Sequence, residues 1–167
     1  MLGPYLKRAF EPDAFDVSKA LDGVRDLAQY DETRNLPSVR GTSHLSAHLR
    51  FGTCSVRQVY HRVADAHSTA HGLIRQLYWR DFYFHIGFHF PHVFRAAFQR
   101  KYDQLAWDDN QSGFEAWQAG ETGFPIVDAG MRELLASGFM HNRVRMIVAS
   151  FLTKNLLIDW RRGEAHF

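Results

Sequence analysis

Residues 71–90, HGLIRQLYWRDFYFHIGFHF, carry the longest helical pattern in the sequence and are followed directly by Pro91. Apolar side chains recur there at the three- and four-residue spacing that places them along one side of a helix. They are Leu73, Ile74, Leu77, Tyr78 and Phe82. A proline disfavours the helical conformation in the residue before it, so the helix is expected to end near Phe90. The stretch predicts one long helix with an apolar stripe.

Helical spacing is also found in the rest of the chain. Apolar residues recur with a helical period in six further segments, residues 15–30, 45–51, 55–63, 114–118, 125–135 and 142–157. Ser55 and Pro125 are typical of helix starts, and Gly52 and Gly138 are typical of helix ends. No segment alternates polar and apolar residues between hairpin turns, as a strand would. The sequence predicts an all-α protein.

Length and composition indicate an ordinary globular domain. The chain has 167 residues, and 46% of them are hydrophobic, which is enough for a core. There is no apolar run of roughly 18 residues or more, and residues 1–15 lack the apolar block of a signal peptide. Cys54 is the single cysteine, and the histidines at 85, 89 and 92 have only Asp81 as a nearby carboxylate. We expect a cytoplasmic monomer with no membrane span and no metal site.

The basic residues are mostly arginine, which makes up sixteen of the twenty, in a chain of net charge +2. The planar guanidinium suits phosphates and bases better than the point charge of lysine, although arginine usage also follows genome composition. The aromatic residues, 14% of the chain, concentrate between Trp79 and Phe90. Aromatic rings among arginines either stack on unpaired bases or fill a helical core. Composition leaves both interpretations open.

Gly41 and the segment Thr42-Ser43-His44-Leu45-Ser46, called the Thr42–Ser46 segment below, run directly into a predicted helix. The first amides of a helix have no partner inside it, and the helix dipole favours negative charge there. Three hydroxyl groups add donors suited to a pyrophosphate. The alternative is a plain N-cap at Ser43 or Ser46. The segment lacks the lysine of a nucleoside-triphosphate loop, so that class of site is not predicted.

A polar–aromatic stripe lies beside the apolar one on the long helix. Its members are Gln76, Trp79, Arg80 and Tyr83. Glutamine and arginine among large rings are typical of a pocket wall that stacks on a flat ring and hydrogen-bonds its edge. The alternative is a boundary face on which the arginine stem packs over Trp79. The pattern supports both equally.

Residues 140–146, MHNRVRM, form a third cluster. On the helix that follows, Asn142, Arg145 and Met146 share a face, while Arg143 points about 100° away. Asn142 has the alternative of serving only as a helix cap. Two arginines near a helix start oppose the helix dipole, so an anion is expected near them.

Three strings together resemble the photolyase/cryptochrome flavoproteins. They are GTSHLSAHLRFGTCSVRQVY at 41–60, QLYWRDFY at 76–83 and AWQAGETGFPIVDAGMRELLASGFMHNRVRMIVASFLTKNLLIDWRRGE at 116–164. The match runs in order from about residue 30 to residue 167 and is closest to class I cyclobutane pyrimidine dimer photolyases. It implies a single, partial helical FAD-binding domain over residues 1–167, truncated at its C-terminus. The N-terminal α/β antenna domain is missing from the match, so no antenna chromophore is expected.

The resemblance also implies roles for individual residues. The residues that hold FAD are Tyr30, Thr42, Ser43, His44, Leu45, Ser46 and Arg145. The residues that line the lesion pocket as the catalytic set are Gln76, Trp79, Asn142 and Met146. The residues that contact DNA are Arg34, Gln76, Trp79, Arg80, Tyr83, Asn142 and Arg143. Trp107 resembles the distal and Trp160 the middle member of a tryptophan chain that reduces the flavin.

The implied function is light-driven repair of cyclobutane pyrimidine dimers by an electron from reduced FAD, with damaged DNA as the partner. Gln76 stands where many such photolyases have Glu, and MHNRVRM differs from the histidine-rich motif of (6-4) photolyases. The family continues past residue 167 with further flavin contacts and the third tryptophan. A cryptochrome-type photoreceptor and a fragment without flavin, inert or DNA-binding, remain as alternatives.

Overall fold

The computed structural model describes residues 16–167, and the regular secondary structure of that range is entirely helical. Its α-helices are α1 (Val17–Asp22), α2 (Tyr30–Thr33), α3 (Ser46–Phe51), α4 (Val56–Ala66), α5 (Gly72–His89), α6 (Gln111–Ala119), α7 (Pro125–Ser137), α8 (Asn142–Lys154) and α9 (Trp160–His166). Short 3₁₀ turns cover Gly23–Asp26, Pro91–Phe94 and Arg100–Gln104. The all-α prediction is confirmed for this range. The expectation that residues 1–15 carry no signal peptide lies outside the described residues.

The chain divides into two compact units. The described residues of the first unit are 16–35 and 39–83, and those of the second are 36–38 and 84–167. The single-domain assignment stays a prediction. Within the described residues, no helix is both long and apolar enough to cross a membrane.

The first unit is built around a buried apolar cluster. Its members are Val24, Leu27, Tyr30, Leu45, Cys54, Val59, Val63, Leu73, Ile74 and Leu77. Ser55 starts α4 with a capping box, in which its hydroxyl accepts from the Gln58 amide and the Gln58 side chain accepts from the Ser55 amide. Gly52 ends α3 with a φ of 72°, a conformation that glycine adopts without the steric cost of a Cβ atom. Both predicted boundaries are confirmed.

One prediction for the first unit is wrong. The helix expected over residues 15–30 is broken, because α1 ends at Asp22 and α2 begins only at Tyr30. The carbonyls of Val24 and Leu27, at the break, accept hydrogen bonds at 2.9 Å from the Nε2 atoms of His67 and His71. On α5, the apolar stripe is buried only from Leu73 to Leu77. Tyr78 and Phe82 are 63% and 50% exposed.

The second unit packs α6 to α9 around Trp117, which is fully buried and donates its indole N–H to the Val148 carbonyl at 3.1 Å. The other buried members of this core are Phe114, Val127, Met131, Leu134, Met140, Val144, Val148, Phe151, Leu152 and Ile158. Gly130 allows α7 and α8 to approach closely, since a Cβ atom there would overlap the Val144 side chain. Pro125 starts α7 and Gly138 ends it, as predicted.

The end of this unit departs from the prediction. Helix α8 stops at Lys154 instead of continuing to Leu157, and α9 was not predicted. Leu157 takes a φ of 50° after the end of α8, and the next residue, Ile158, is completely buried. Asp159 then caps α9 by accepting from the Arg161 amide at 2.9 Å. A seven-residue helix has too few turns to show a clear hydrophobic period.

Candidate flavin and DNA sites

The Thr42–Ser46 segment leads into α3, whose first residue is Ser46, without a side-chain cap. Leu45 is the N-cap residue and is buried, and its side chain makes no capping bond. Both N-cap alternatives, at Ser43 and at Ser46, are therefore wrong, although the Ser43 hydroxyl accepts from the Leu45 amide at 3.4 Å. Among the described residues the Thr42 and Ser46 hydroxyls have no hydrogen-bond partner. His44 takes a φ of 52° within the segment.

Tyr30 shares a buried cluster with one residue of this segment. Leu45 and Tyr30 belong to one buried cluster, and Gly41 is so close to Thr33 in α2 that a Cβ atom would lie 2.5 Å from the Thr33 hydroxyl oxygen. Burial raises the pKa of the Tyr30 hydroxyl, and a hydrogen bond from Arg34 lowers it by less. Tyr30 and Leu45 therefore share one buried cluster, and the role of the segment at FAD stays a prediction.

Arg34 is held by neighbours on both sides. Its guanidinium carbon lies 5.7 Å from the centre of the Tyr30 ring, and its Nε atom lies 3.8 Å from an Asp31 carboxylate oxygen. Asp31 also accepts two hydrogen bonds from Arg75, at 2.9 and 3.0 Å. A Cβ atom on Gly72 would overlap the same carboxylate. The sequence analysis missed Asp31, and the available signal was its position three residues before Arg34 on a helix.

The polar–aromatic stripe is accessible. Trp79 is 54% exposed and Tyr83 is 65% exposed, whereas Gln76 and Arg80 are half-buried. The Trp79 ring meets Phe82 edge-on, with centroids 5.5 Å apart, and Tyr83 at 6.1 Å. The Arg80 guanidinium donates to the Leu49 carbonyl at 3.5 Å and lies 3.6 Å from Asp81. The stripe thus presents a half-exposed indole three residues along the helix from the Gln76 carboxamide.

Asn142, Arg143 and Met146 form what is called the α8 cluster below. The Asn142 amide nitrogen lies 3.9 Å and an Arg143 guanidinium nitrogen 3.8 Å from the Met146 sulfur. Although Arg143 lies about 100° round the helix from Asn142, its guanidinium reaches Met146, because the arginine stem is long and residues three apart on a helix are neighbours. Arg145 stands instead 4.7 Å over the Phe167 ring, and burial lowers its pKa.

His141 is a second residue that the sequence analysis missed. It is the N-cap of α8, where its Nδ1 atom accepts from the Arg143 amide at 3.2 Å. The cap alternative for Asn142 is therefore wrong, and the Asn142 side chain is free of that role. His141 is buried, and its Nε2 atom has no partner within residues 16–167. Histidine is not among the usual capping residues, so sequence offered little signal.

Trp107 and Trp160 both lie in the second unit, in two segments that are joined by a hydrogen bond and an ion pair. The amide of Asp108 donates to the Leu157 carbonyl at 2.8 Å, and Arg161 reaches Asp103 at 3.8 Å. The Trp107 indole nitrogen is buried and has no hydrogen-bond partner in the described part of the chain. The Arg161 guanidinium lies 5.5 Å from the Trp160 ring.

Within residues 16–167 no group of three His, Cys, Asp or Glu is arranged to hold a metal ion.

Known proteins resemble this chain over most of its length. The family described as the FAD binding domain of DNA photolyase matches residues 73–167. A deoxyribodipyrimidine photo-lyase of Alkalihalophilus pseudofirmus is 46% identical over 84% of this chain and 30% of its own length. A class III photolyase of Agrobacterium tumefaciens matches 100% of this chain and 39% of its own, with 39% identity and a TM-score of 0.86. A Synechocystis cryptochrome matches 93% of this chain and 32% of its own, with 36% identity and a TM-score of 0.73.

The chain therefore spans about a third of the length of the relatives that it matches. The resemblance found in the sequence is confirmed, and so is its assignment to the helical FAD-binding type of fold. The placement closest to class I stays a prediction. The chain belongs to the family of the FAD-binding domain of DNA photolyase.

Proposed function

We propose that this chain is the flavin- and DNA-binding part of a light-driven lyase that repairs cyclobutane pyrimidine dimers. The observation that carries the proposal is the exposed indole of Trp79 beside the half-buried carboxamide of Gln76. A flat, exposed ring with an amide next to it suits a base that has left the DNA stack. Relatives named deoxyribodipyrimidine photo-lyase support the same function.

The Thr42–Ser46 segment and Tyr30 are suited to FAD. The free hydroxyls of Thr42 and Ser46 are donors that match a diphosphate, and Arg145 is a further candidate for the flavin. Ser43, His44 and Leu45 complete the proposed set through the loop that they form. Bound and reduced FAD supplies the light-absorbing electron donor. The protein is proposed to hold it by these hydroxyls.

Gln76 and Trp79 of the first unit are proposed to bind the lesion, and the family motif of the second unit separately proposes the α8 cluster as a lesion contact. The indole of Trp79 stacks on the dimer, the Gln76 amide hydrogen-bonds its edge, and Met146 offers an apolar contact. Arg34, Arg80, Arg143 and Tyr83 are proposed to contact the DNA strand, since arginine pairs well with phosphate. We propose that Trp107 and Trp160 relay electrons to the flavin, because the two half-buried indoles lie in segments joined by the hydrogen bond between Asp108 and Leu157.

The proposed partner is damaged DNA, and the proposed state is a cytoplasmic monomer without an antenna chromophore on these residues. Flipping a damaged, poorly stacked pair out of the duplex costs less free energy than flipping an intact pair. The polar–aromatic stripe therefore does not need to recognise the base sequence.

The test is a light-dependent repair assay on the purified full chain. We expect the protein to bind added FAD, with a flavin absorption band, and to restore thymine absorbance in dimer-containing oligothymidine under near-UV light after reduction, but not in the dark. Trp79→Ala should weaken binding to that oligonucleotide by ~10–100-fold, because base stacking on an aromatic ring contributes ~1–3 kcal/mol. Phe51→Ala, at a residue 79% exposed on α3, is the matched control.

Each outcome selects one function. Flavin binding with photoreduction but without repair would indicate a photoreceptor and contradict the lyase proposal. A protein that stays colourless after FAD is added would contradict every flavin-dependent function for this chain. Equal losses in Trp79→Ala and Phe51→Ala would remove the proposed role of the stripe.

A further inference from the structure

Two cavities border the exposed side of α4, and Arg57 and His61 line both of them. The larger has a volume of about 490 Å³, and its basic lining residues are Arg25, Arg57, His61 and Arg62. The smaller has a volume of about 310 Å³ and is lined by two tyrosines, Tyr60 and Tyr78, together with Leu77 and Val56. All of these residues belong to the first unit. The two cavities together are called the α4 furrow.

Two arginines on the basic side of the α4 furrow have no carboxylate partner among the described residues. Within residues 16–167, Arg25 and Arg57 form no ion pair, whereas Arg62 lies 3.1 Å from Asp22. Arg25 and Arg57 are both exposed. An arginine paired with a carboxylate is partly neutralised, so the two unpaired guanidinium groups are the ones available to an anion. Their fork of donors suits phosphate oxygens.

Carboxylates limit how far an anion can extend. Asp65 lines the larger cavity, and Asp81 lines the smaller one. An extended nucleic-acid strand would bring further phosphates towards these groups, and like charges repel. The furrow therefore favours a compact ligand with one or two phosphates over a polyanion.

The tyrosines supply the second half of a recognition surface. Tyr78 is 63% exposed, and Tyr60 is half-buried with its ring edge-on to His61, at a centroid distance of 5.5 Å. An exposed phenol ring above apolar side chains is suited to a planar heterocycle. Phosphate-binding arginines on one side and a stacking ring on the other match a nucleotide.

We propose that the α4 furrow binds a mononucleotide, with its phosphate at Arg25 and Arg57 and its base on Tyr78. The site shares no residue with Tyr30 or the Thr42–Ser46 segment, so it is additional to the proposed flavin site. Its occupancy does not depend on light or on DNA.

The test measures AMP binding to the full chain by calorimetry, with inorganic phosphate and adenosine as partial ligands. Arg57→Gln should weaken AMP binding by about tenfold, because it removes a charge-assisted hydrogen bond. Arg50→Gln makes the same change of charge on α3, outside both cavities, and should alter the affinity less than about twofold. Tyr78→Ala should weaken AMP but leave inorganic phosphate unchanged. Amide exchange should slow in residues 56–66 when AMP is added.

Three results would overturn the proposal. Equal losses in Arg57→Gln and Arg50→Gln would mean general attraction of anions to a basic surface. Loss of AMP binding in a Thr42→Ala/Ser46→Ala double variant would place AMP at the flavin segment instead. Tighter binding of a single-stranded oligonucleotide, lost in Arg57→Gln, would make the furrow a nucleic-acid surface. If Arg57→Gln unfolds the chain by circular dichroism, Arg25→Gln provides the same test.

Discussion

Helices α3 and α8 both start within motifs of the photolyase family, but they begin in opposite ways. At the start of α8, His141 accepts from the Arg143 amide and is buried. At the start of α3, Leu45 makes no side-chain cap, and the hydroxyls of Thr42 and Ser46 stay free within the described residues. A helix start that satisfies its own amides contributes stability, whereas one that leaves donors unused keeps them for a ligand. The first should matter for folding and the second for binding.

The largest expected effect is a loss of stability when the cap of α8 is removed. His141→Ala removes the cap of α8 and a buried ring, and should lower the free energy of unfolding by about 2 kcal/mol. Ser46→Ala, at the open start, should change it by less than about 0.5 kcal/mol. Urea denaturation followed by circular dichroism measures both. Similar losses in the two variants would contradict the comparison.

Substitutions at the start of α3 should lower the affinity for FAD rather than the free energy of unfolding. Thr42→Ala and Ser46→Ala should each weaken FAD binding by about tenfold, because each removes a hydrogen bond to a charged phosphate. Titration of the chain with FAD, followed by flavin fluorescence, gives the affinities. Ser18→Ala removes an exposed hydroxyl on α1 and serves as the control. Unchanged affinity in both segment variants would remove the Thr42–Ser46 segment from the flavin site.

A third helix start adds a pH dependence. Asp128, in the first turn of α7, accepts from the Thr122 amide and hydroxyl at 2.8 and 2.6 Å and from the Gly123 amide at 3.0 Å. Burial alone raises the pKa of this carboxyl, but these hydrogen bonds outweigh it and lower the pKa below its ordinary value of 3.8. Through these hydrogen bonds Asp128 holds the loop before α7.

The sign of that dependence follows from the lowered pKa. The contribution of Asp128 is fully present above the unfolded pKa, near 3.8, and is lost as the pH falls through the lower folded pKa. Wild-type stability should therefore fall more steeply below about pH 4 than that of Asp128→Asn, which has no carboxyl to protonate. Urea midpoints measured from pH 2 to pH 6 provide the check. Parallel pH profiles for the two proteins would show that Asp128 does not titrate this way.

The smallest expected effect concerns Gln76. Gln76→Glu should strengthen binding of dimer-containing oligothymidine by only a few-fold, about 0.5–1 kcal/mol, since a charged acceptor makes the stronger hydrogen bond while DNA phosphates oppose the added charge. A fluorescence binding assay measures both affinities, and the difference between damaged and undamaged oligothymidine gives the contribution of the dimer itself. Equal changes on damaged and undamaged strands would mean that residue 76 does not contact the dimer.

Local sequence signals predicted the helix boundaries well where one residue decides them. Gly52, Ser55, Pro125 and Gly138 stand where the structure begins or ends a helix, because capping and proline constraints act within a single turn. The family motifs likewise identified candidate site residues by their order along the chain. The structure places Tyr30 and Leu45 in one buried cluster, and it joins Asn142 with Met146.

The features that sequence missed depend on distant partners. The break after Asp22 is accompanied by hydrogen bonds from His67 and His71, more than forty residues away. Arg145 stands over Phe167, and Asp31 holds Arg75, through contacts that no local period encodes. Exposure of Tyr78 and Phe82 also depends on which helices pack against α5.

Sequence by itself predicted the helical class that residues 16–167 show, several helix starts and stops, and the family to which the chain belongs. These properties follow from backbone preferences within a turn and from long motifs, which survive without knowledge of distant contacts. Only the tertiary structure decided which donors stay free at the start of α3, which arginine joins Met146, and that two cavities meet along α4. Those outcomes depend on how side chains far apart in sequence share buried space and hydrogen bonds.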